Sequence, residues 1–87
     1  MFYVYILECA DATLYTGYTK DLAKRVKAHN ESKSAAKYTK SRRPVTLRYV
    51  ERYRTLSKAL KREYELKHVA RAEKLALIRA AGKSAKH

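Results

Sequence analysis

The spacing of apolar positions changes period several times along the chain, and each change marks a new element. Residues 2–7, Phe-Tyr-Val-Tyr-Ile-Leu, are β-branched and aromatic and predict a buried strand. Asp11, Ala12 and Thr13 interrupt that run, and 14–19 resume it as a second strand. So short a gap joins antiparallel neighbours through a hairpin, and Ala12, a weaker turn residue than Gly, leaves the turn type open. Over 20–30 the period turns helical, with Thr19 as expected cap and Asp21 favourably placed in the first turn. Residues 31–44 keep no period and read as an exposed basic loop with a helical turn near Ala35. Alternation returns over 45–50 as a third strand. Leu56, Ala59, Leu60 and Leu66 then describe a helix reaching Val69, and Leu75, Leu77 and Ile78 a second over 72–81, ended by Gly82. Residues 83–87 form a fraying basic tail. The order β-β-α-β-α-α predicts one α+β domain over 1–82, a three-stranded antiparallel sheet flanked by helices.

Composition sharpens this picture in two places. The chain of 87 residues has room for one modest core. The single cysteine, Cys9, excludes an internal disulfide and a multi-cysteine zinc site, and reads as a small buried hydrophobe. The apolar run at 2–7 is too short for a membrane span or signal core, so a cytoplasmic protein is expected. Charge is the larger signal: 21 Lys and Arg against 8 Asp and Glu give +13. Such an excess points to a polyanion, because counterions displaced from a phosphate backbone drive association. DNA and RNA both satisfy it. A membrane surface does not, because no helix sets a bulky apolar face against a basic one.

Candidate chemistry lies where polar groups occupy positions that periodicity reserves for apolar ones. Leu22, Val26 and His29 share one face of the first helix, and Arg25, four before His29, stands beside them. An Arg and a His leaning over a core edge are costly unless they meet an acid or an anion there. In the next helix Glu63 falls on the stripe of Ala59, Leu60 and Leu66, whereas Glu65 has Lys61, Arg62 and His68 as helical neighbours and belongs to the solvated side. An inward carboxylate among bases is a candidate ligand for a hard cation, with a structural salt bridge as the plainer alternative. Tyr3, Tyr5, Tyr15, Tyr18 and Tyr49 are placed near the core or cleft side of the strands. A phenol transfers protons usefully only beside cations; otherwise such tyrosines are packing residues. Gly17 within a strand suggests close approach of another backbone or a ligand.

Taken together, Tyr3-Val4-Tyr5, Tyr15-Thr16-Gly17, Arg25, His29 and Glu63 resemble the GIY-YIG nuclease superfamily. More narrowly, the chain is similar to its small stand-alone bacterial members, in which YVYILxCxDxxLYTGYTxDLxxR and a later KYTxxRRPVxL recur. The resemblance covers nearly the whole chain and implies hydrolysis of DNA phosphodiesters with one divalent metal, Mg or Mn. It implies Tyr15 as general base or relay, Tyr5 beside it as orienting group, Arg25 on the phosphate charge, His29 near the scissile phosphate and Glu63 on the metal. Tyr3, Gly17 and Tyr18 would line the cleft. Tyr3 replaces the first-motif Gly, Tyr18 stands where larger excision-repair nucleases carry a catalytic Lys, and the C-terminal helices hold no Asn matching a polar residue that assists some members.

The expected function is therefore a monomeric DNA endonuclease of repair or recombination, with little sequence specificity and Lys37, Lys40, Arg42 and Arg43 gripping the backbone. The alternative is a basic nucleic-acid-binding module with the same fold and weak or absent cleavage. An RNA-associated structural protein would explain the charge but not the inward Arg25, His29 and Glu63.

Overall fold

A computed structural model of the protein describes residues 1–31 and 37–84, apart from the side chains at 37, 38 and 82–84. Its elements are β1 (Phe2–Glu8), β2 (Leu14–Thr19), α1 (Leu22–Glu31), α2 (Lys37–Lys40), β3 (Thr46–Tyr53), α3 (Leu56–His68) and α4 (Arg71–Ser84). The α+β class and the order β-β-α-β-α-α are as the sequence predicts, with the single turn α2 added. The helical turn expected near Ala35 lies outside the described residues. β1 is central, in the antiparallel order β2-β1-β3.

The most apolar segment of the chain thus becomes the strand covered on both faces. On one face Tyr5, Leu7 and Cys9 pack with Val45, and Tyr15, Leu22 and Val26 close over them from β2 and α1. On the other, Val4 packs with Ala59 and Leu66 of α3, flanked by Phe2, Tyr49, Tyr53, Val69 and Leu77. Truncating Leu7 or Leu66 to Ala costs about 2–5 kcal/mol.

The β1–β2 connection is a tight hairpin in which Ala12 N–H donates to the Cys9 carbonyl and Cys9 N–H to the Thr13 carbonyl, both at 2.9 Å. Ala12 takes φ 66°, the left-handed conformation usually left to Gly. Its neighbours hold it there: Thr13 donates to Asp11 Oδ1 from its backbone and its hydroxyl (3.1 and 2.6 Å), and Arg71 Nη2 donates to the Ala12 carbonyl at 2.8 Å.

Four local expectations are corrected. The α1 cap is Asp21, whose carboxylate accepts from Lys24 N–H at 3.1 Å, while Thr19 Oγ1 accepts from Asp21 N–H one step earlier. Asp presents an acceptor at the cap as readily as Thr, so the two candidates are equivalent by residue type. β3 runs on to Tyr53, because Glu51 is balanced where it lies. Its carboxylate takes both Arg62 Nε and Nη2 (2.9 and 3.1 Å) together with the Tyr49 and Tyr53 hydroxyls. Burial works against ionising Glu51, but these donors outweigh it and hold its carboxyl below the usual range, while both phenols are pushed up to about 12. Tyr49 accordingly belongs to the α3 side of the sheet, not the cleft side. Finally, α4 continues through Gly82 to Ser84, because no glycine among the described residues adopts the positive φ that a terminating glycine uses.

Candidate active site

The pleat and the pairing register place Tyr5 opposite Gly17, and Leu7 opposite Tyr15, so Tyr5, Tyr15 and Gly17 share one face of the sheet. Tyr5 lies across Gly17 so closely that a Cβ there would meet its hydroxyl at 2.5 Å and its ring carbon Cζ at 2.7 Å. The expected close approach at Gly17 is thus made by a side chain of the same protein. Tyr3 lies on this face too, paired with Thr19 and Arg52. Tyr18 pairs with Val4 and projects from the opposite face, so the fold does not bring it to the others.

α1 lowers His29 onto this face. His29 is fully buried, with Nε2 2.9 Å from the Tyr5 hydroxyl and Nδ1 2.7 Å from Thr39 Oγ1. Its ring stands edge-on to Tyr15, with centroids 5.1 Å apart, and to Tyr5 at 5.9 Å. Arg25, on the preceding turn of α1, places its positive charge close enough to Tyr5 to favour the ionised phenol. One assignment of protons satisfies the chain: Tyr5 O–H donates to Nε2, and Nδ1–H donates to Thr39 Oγ1. Burial, then the charges of Arg25 and Arg43, lower the His29 pKa to about 4, so the imidazole is a neutral acceptor at neutral pH. Burial likewise raises the Tyr5 pKa; Arg25 opposes that shift, while Tyr15 and Glu63 add to it.

Glu63 therefore bears electrostatically on the same phenol from α3. Its side chain is 15% exposed against 49% for Glu65, which matches the sequence distinction between them. Lys67 Nζ lies 3.5 Å from Glu63, and Arg62 lies 3.7 Å from Glu65. Among the described residues no cluster of three or more His, Cys, Asp or Glu is placed to hold a metal. A single inward carboxylate is nonetheless a suitable donor set for Mg²⁺, which keeps most of its waters and completes its shell with substrate phosphate oxygens.

The basic loop is more structural than its composition suggests. Arg43 donates to the His29 carbonyl at 2.6 Å and to the Ala28 carbonyl at 3.5 Å, closing the C-terminal end of α1. Asn30 grips Val45 with two hydrogen bonds, 2.7 and 3.1 Å. Arg42 pairs with Asp11 of the hairpin at 3.1 Å. Lys40 is exposed, and the side chain of Lys37 lies outside the described residues. Thr39, wholly buried against His29, is the functional residue that sequence reasoning missed. Its only signal was its place in the segment Lys37-Tyr38-Thr39.

Comparison with known proteins gives a consistent answer. The GIY-YIG catalytic domain matches residues 1–76. A UPF0213 protein of Syntrophus aciditrophicus (strain SB) is 58% identical over 77 residues, covering 88% of each chain. A UPF0213 protein of Staphylococcus aureus (strain Mu3 / ATCC 700698) is 57% identical over 77 residues, covering 88% of this chain and 93% of that one. The solution NMR structure of a UPF0213 protein from Bacillus halodurans superposes with a TM-score of 0.59 at 43% identity, covering 92% of this chain and 85% of that one. Family match, relatives and fold agree with the grouping of a tyrosine, an arginine, a histidine and a glutamate about the Tyr5 phenol: the chain belongs to the GIY-YIG nuclease superfamily, among its small single-domain members.

Proposed function

We propose that the protein is a divalent-metal-dependent endonuclease that hydrolyses DNA phosphodiester bonds in repair or recombination, with little sequence specificity. The observation that carries this reading is the gathering of His29, Tyr15, Arg25 and Glu63 about Tyr5: His29 bonds its hydroxyl, Tyr15 stands edge-on to His29, and the charges of Arg25 and Glu63 bear on the phenol from α1 and α3. A set of base, cation and carboxylate brought together from four elements suits phosphoryl transfer, which is chiefly positioning and electrostatic stabilisation. Tyr15, in its phenolate form, accepts a proton from the attacking water as the water oxygen bonds to phosphorus; the bond to the leaving oxygen breaks, and that oxygen takes a proton from solvent. Tyr5, held by His29, fixes the geometry around it, and Thr39 fixes His29. Arg25 neutralises charge that builds on the phosphate. Glu63 would hold a Mg²⁺ or Mn²⁺ ion, which supplies charge stabilisation at the phosphate oxygens. Lys37, Lys40, Arg42 and Arg43 serve the DNA backbone, Arg43 also serving α1.

Glu63 and Glu65 test the reading, because the helix sets them about 200° apart. Glu63→Gln is expected to abolish metal-dependent nicking of plasmid and branched DNA while DNA binding is kept or strengthened. Glu65→Gln should cut at the wild-type rate. Equal loss in both, or activity surviving in Glu63→Gln, favours the basic binding module instead.

A further inference from the structure

We infer that Tyr64 and His68 form a stacking platform for the base of an unpaired nucleotide beside the active site, so that the substrate presents a strand with a base outside the duplex. Tyr64 is 67% exposed, the most exposed large hydrophobic among the described residues, and sits directly after Glu63. Around the helix it stands about 100° from Glu63, on the side opposite Arg62. Arg62 is tied to Glu51 of β3, so Tyr64 faces away from that strand, with the outward rim of α3. Consecutive Cα atoms are about 3.8 Å apart, so a strand whose scissile phosphate lies in the site beside Glu63 has an adjoining base within reach of Tyr64.

The platform is formed before any ligand arrives. The Tyr64 and His68 rings lie 4.3 Å apart, centroid to centroid, at an interplanar angle of 37°. His68 Nδ1–H donates to the Tyr64 carbonyl at 2.7 Å, which locks the imidazole against the phenol. Exposed Leu56 and Leu60 continue the stripe at four-residue steps. Lys61 and Lys67, the latter paired with Glu63 at 3.5 Å, bracket Tyr64 three residues to either side. An i,i+4 Tyr–His contact alone could serve only to stabilise the helix. Two flanking lysines argue otherwise, and they also argue against a protein partner, whose docking surfaces are depleted in Lys. Exposed aromatic faces between cations are what single-stranded nucleic acid uses, with sequence tolerance because every base has a π-face.

This inference rests on the proposed DNA substrate but not on cleavage, so the experiment measures binding without divalent ions. A short labelled oligodeoxynucleotide of mixed sequence, the same strand with abasic nucleotides, and a blunt duplex are titrated with wild type, Tyr64→Ala, Tyr64→Phe and Tyr64→Trp. Tyr64→Ala is expected to weaken single-strand binding by roughly 5- to 100-fold, the range of one lost base stack. It should leave duplex binding unchanged and lose its penalty on the abasic strand. Tyr64→Phe should bind as wild type does. Tyr64→Trp should retain affinity, and because the chain has no other Trp, its fluorescence should fall on adding the single strand. Unchanged single-strand affinity in Tyr64→Ala, equal losses on strand and duplex, or unquenched indole fluorescence in Tyr64→Trp would overturn the platform. A protein that stacks DNA on Tyr64 yet never cuts keeps this inference and discards the nuclease reading; one that cuts but ignores Tyr64 does the reverse.

Discussion

His29 concentrates the chemistry of the site into one residue. Its imidazole is buried, neutral, and bonded at both nitrogens. Because its folded pKa, about 4, lies below the ordinary histidine value of 6.5, the unfolded chain takes up a proton first as pH falls. Stability is therefore fully present above pH 6.5 and is lost as pH drops towards 4, by about 3 kcal/mol. Denaturant unfolding at neutral pH and near pH 4 should reveal that loss, and His29→Gln should remove most of it. An acid profile unchanged by the substitution would place the titration on Glu51 instead, whose lowered carboxyl pKa moves stability in the same direction. Arg25, His29 and Glu63 were legible in the sequence because each breaks an apolar stripe whose period is otherwise clear. Thr39 was not: it sits in an aperiodic stretch, and its role appears only when α2 brings it to His29.

Among the elements, the β1–β2 hairpin is where sequence and conformation disagree. Ala12 holds a left-handed backbone conformation without the freedom of Gly. The residue is exposed, so removing its methyl leaves no hole in the core. Ala12→Gly is therefore expected to raise stability by about 0.5–1 kcal/mol, seen as a higher denaturation midpoint at unchanged slope. A loss of stability would mean that the added freedom of the unfolded chain outweighs the relief of strain. Strand and helix identities were readable because 2–7 is a β-branched and aromatic run, 45–50 alternates with period 2 and 56–69 follows period 3.6. Their ends were less so, since they depend on contacts made far along the chain. β3 continues to Tyr53 because Arg62 meets Glu51, a partner eleven residues on that no local pattern announces. The α1 start turned on two nearby residues, Thr19 and Asp21, both able to cap.

At the scale of the whole molecule the net charge of +13 divides into cations that hold the fold and cations that meet solvent. Arg62, Arg43 and Arg42 belong in part to the first group, through Glu51, the α1 carbonyls and Asp11. Substituting all four loop bases together would thus mix lost DNA contacts with lost structure. Lys37→Gln with Lys40→Gln leaves Arg42 and Arg43 in place: the log–log dependence of affinity on salt should flatten by roughly 0.9 for each phosphate contact removed. An unchanged slope would move the DNA path to the Lys- and Arg-rich face of α3 and α4.

The Tyr5 ring lying over Gly17 offers an unusually clean way to switch the protein off. Most ways of inactivating a basic nuclease remove a charge, and so alter its attraction to DNA along with its chemistry. A methyl at Gly17 would come within 2.5 Å of the Tyr5 hydroxyl, too close to be tolerated, and force the phenol to shift from His29 without changing one ionisable group. Such overpacking costs about 1–3 kcal/mol. Gly17→Ala should then bind DNA with the wild-type salt dependence while its cleavage collapses: an isoelectric decoy, in which occupancy of DNA and its scission are separated by a single carbon atom.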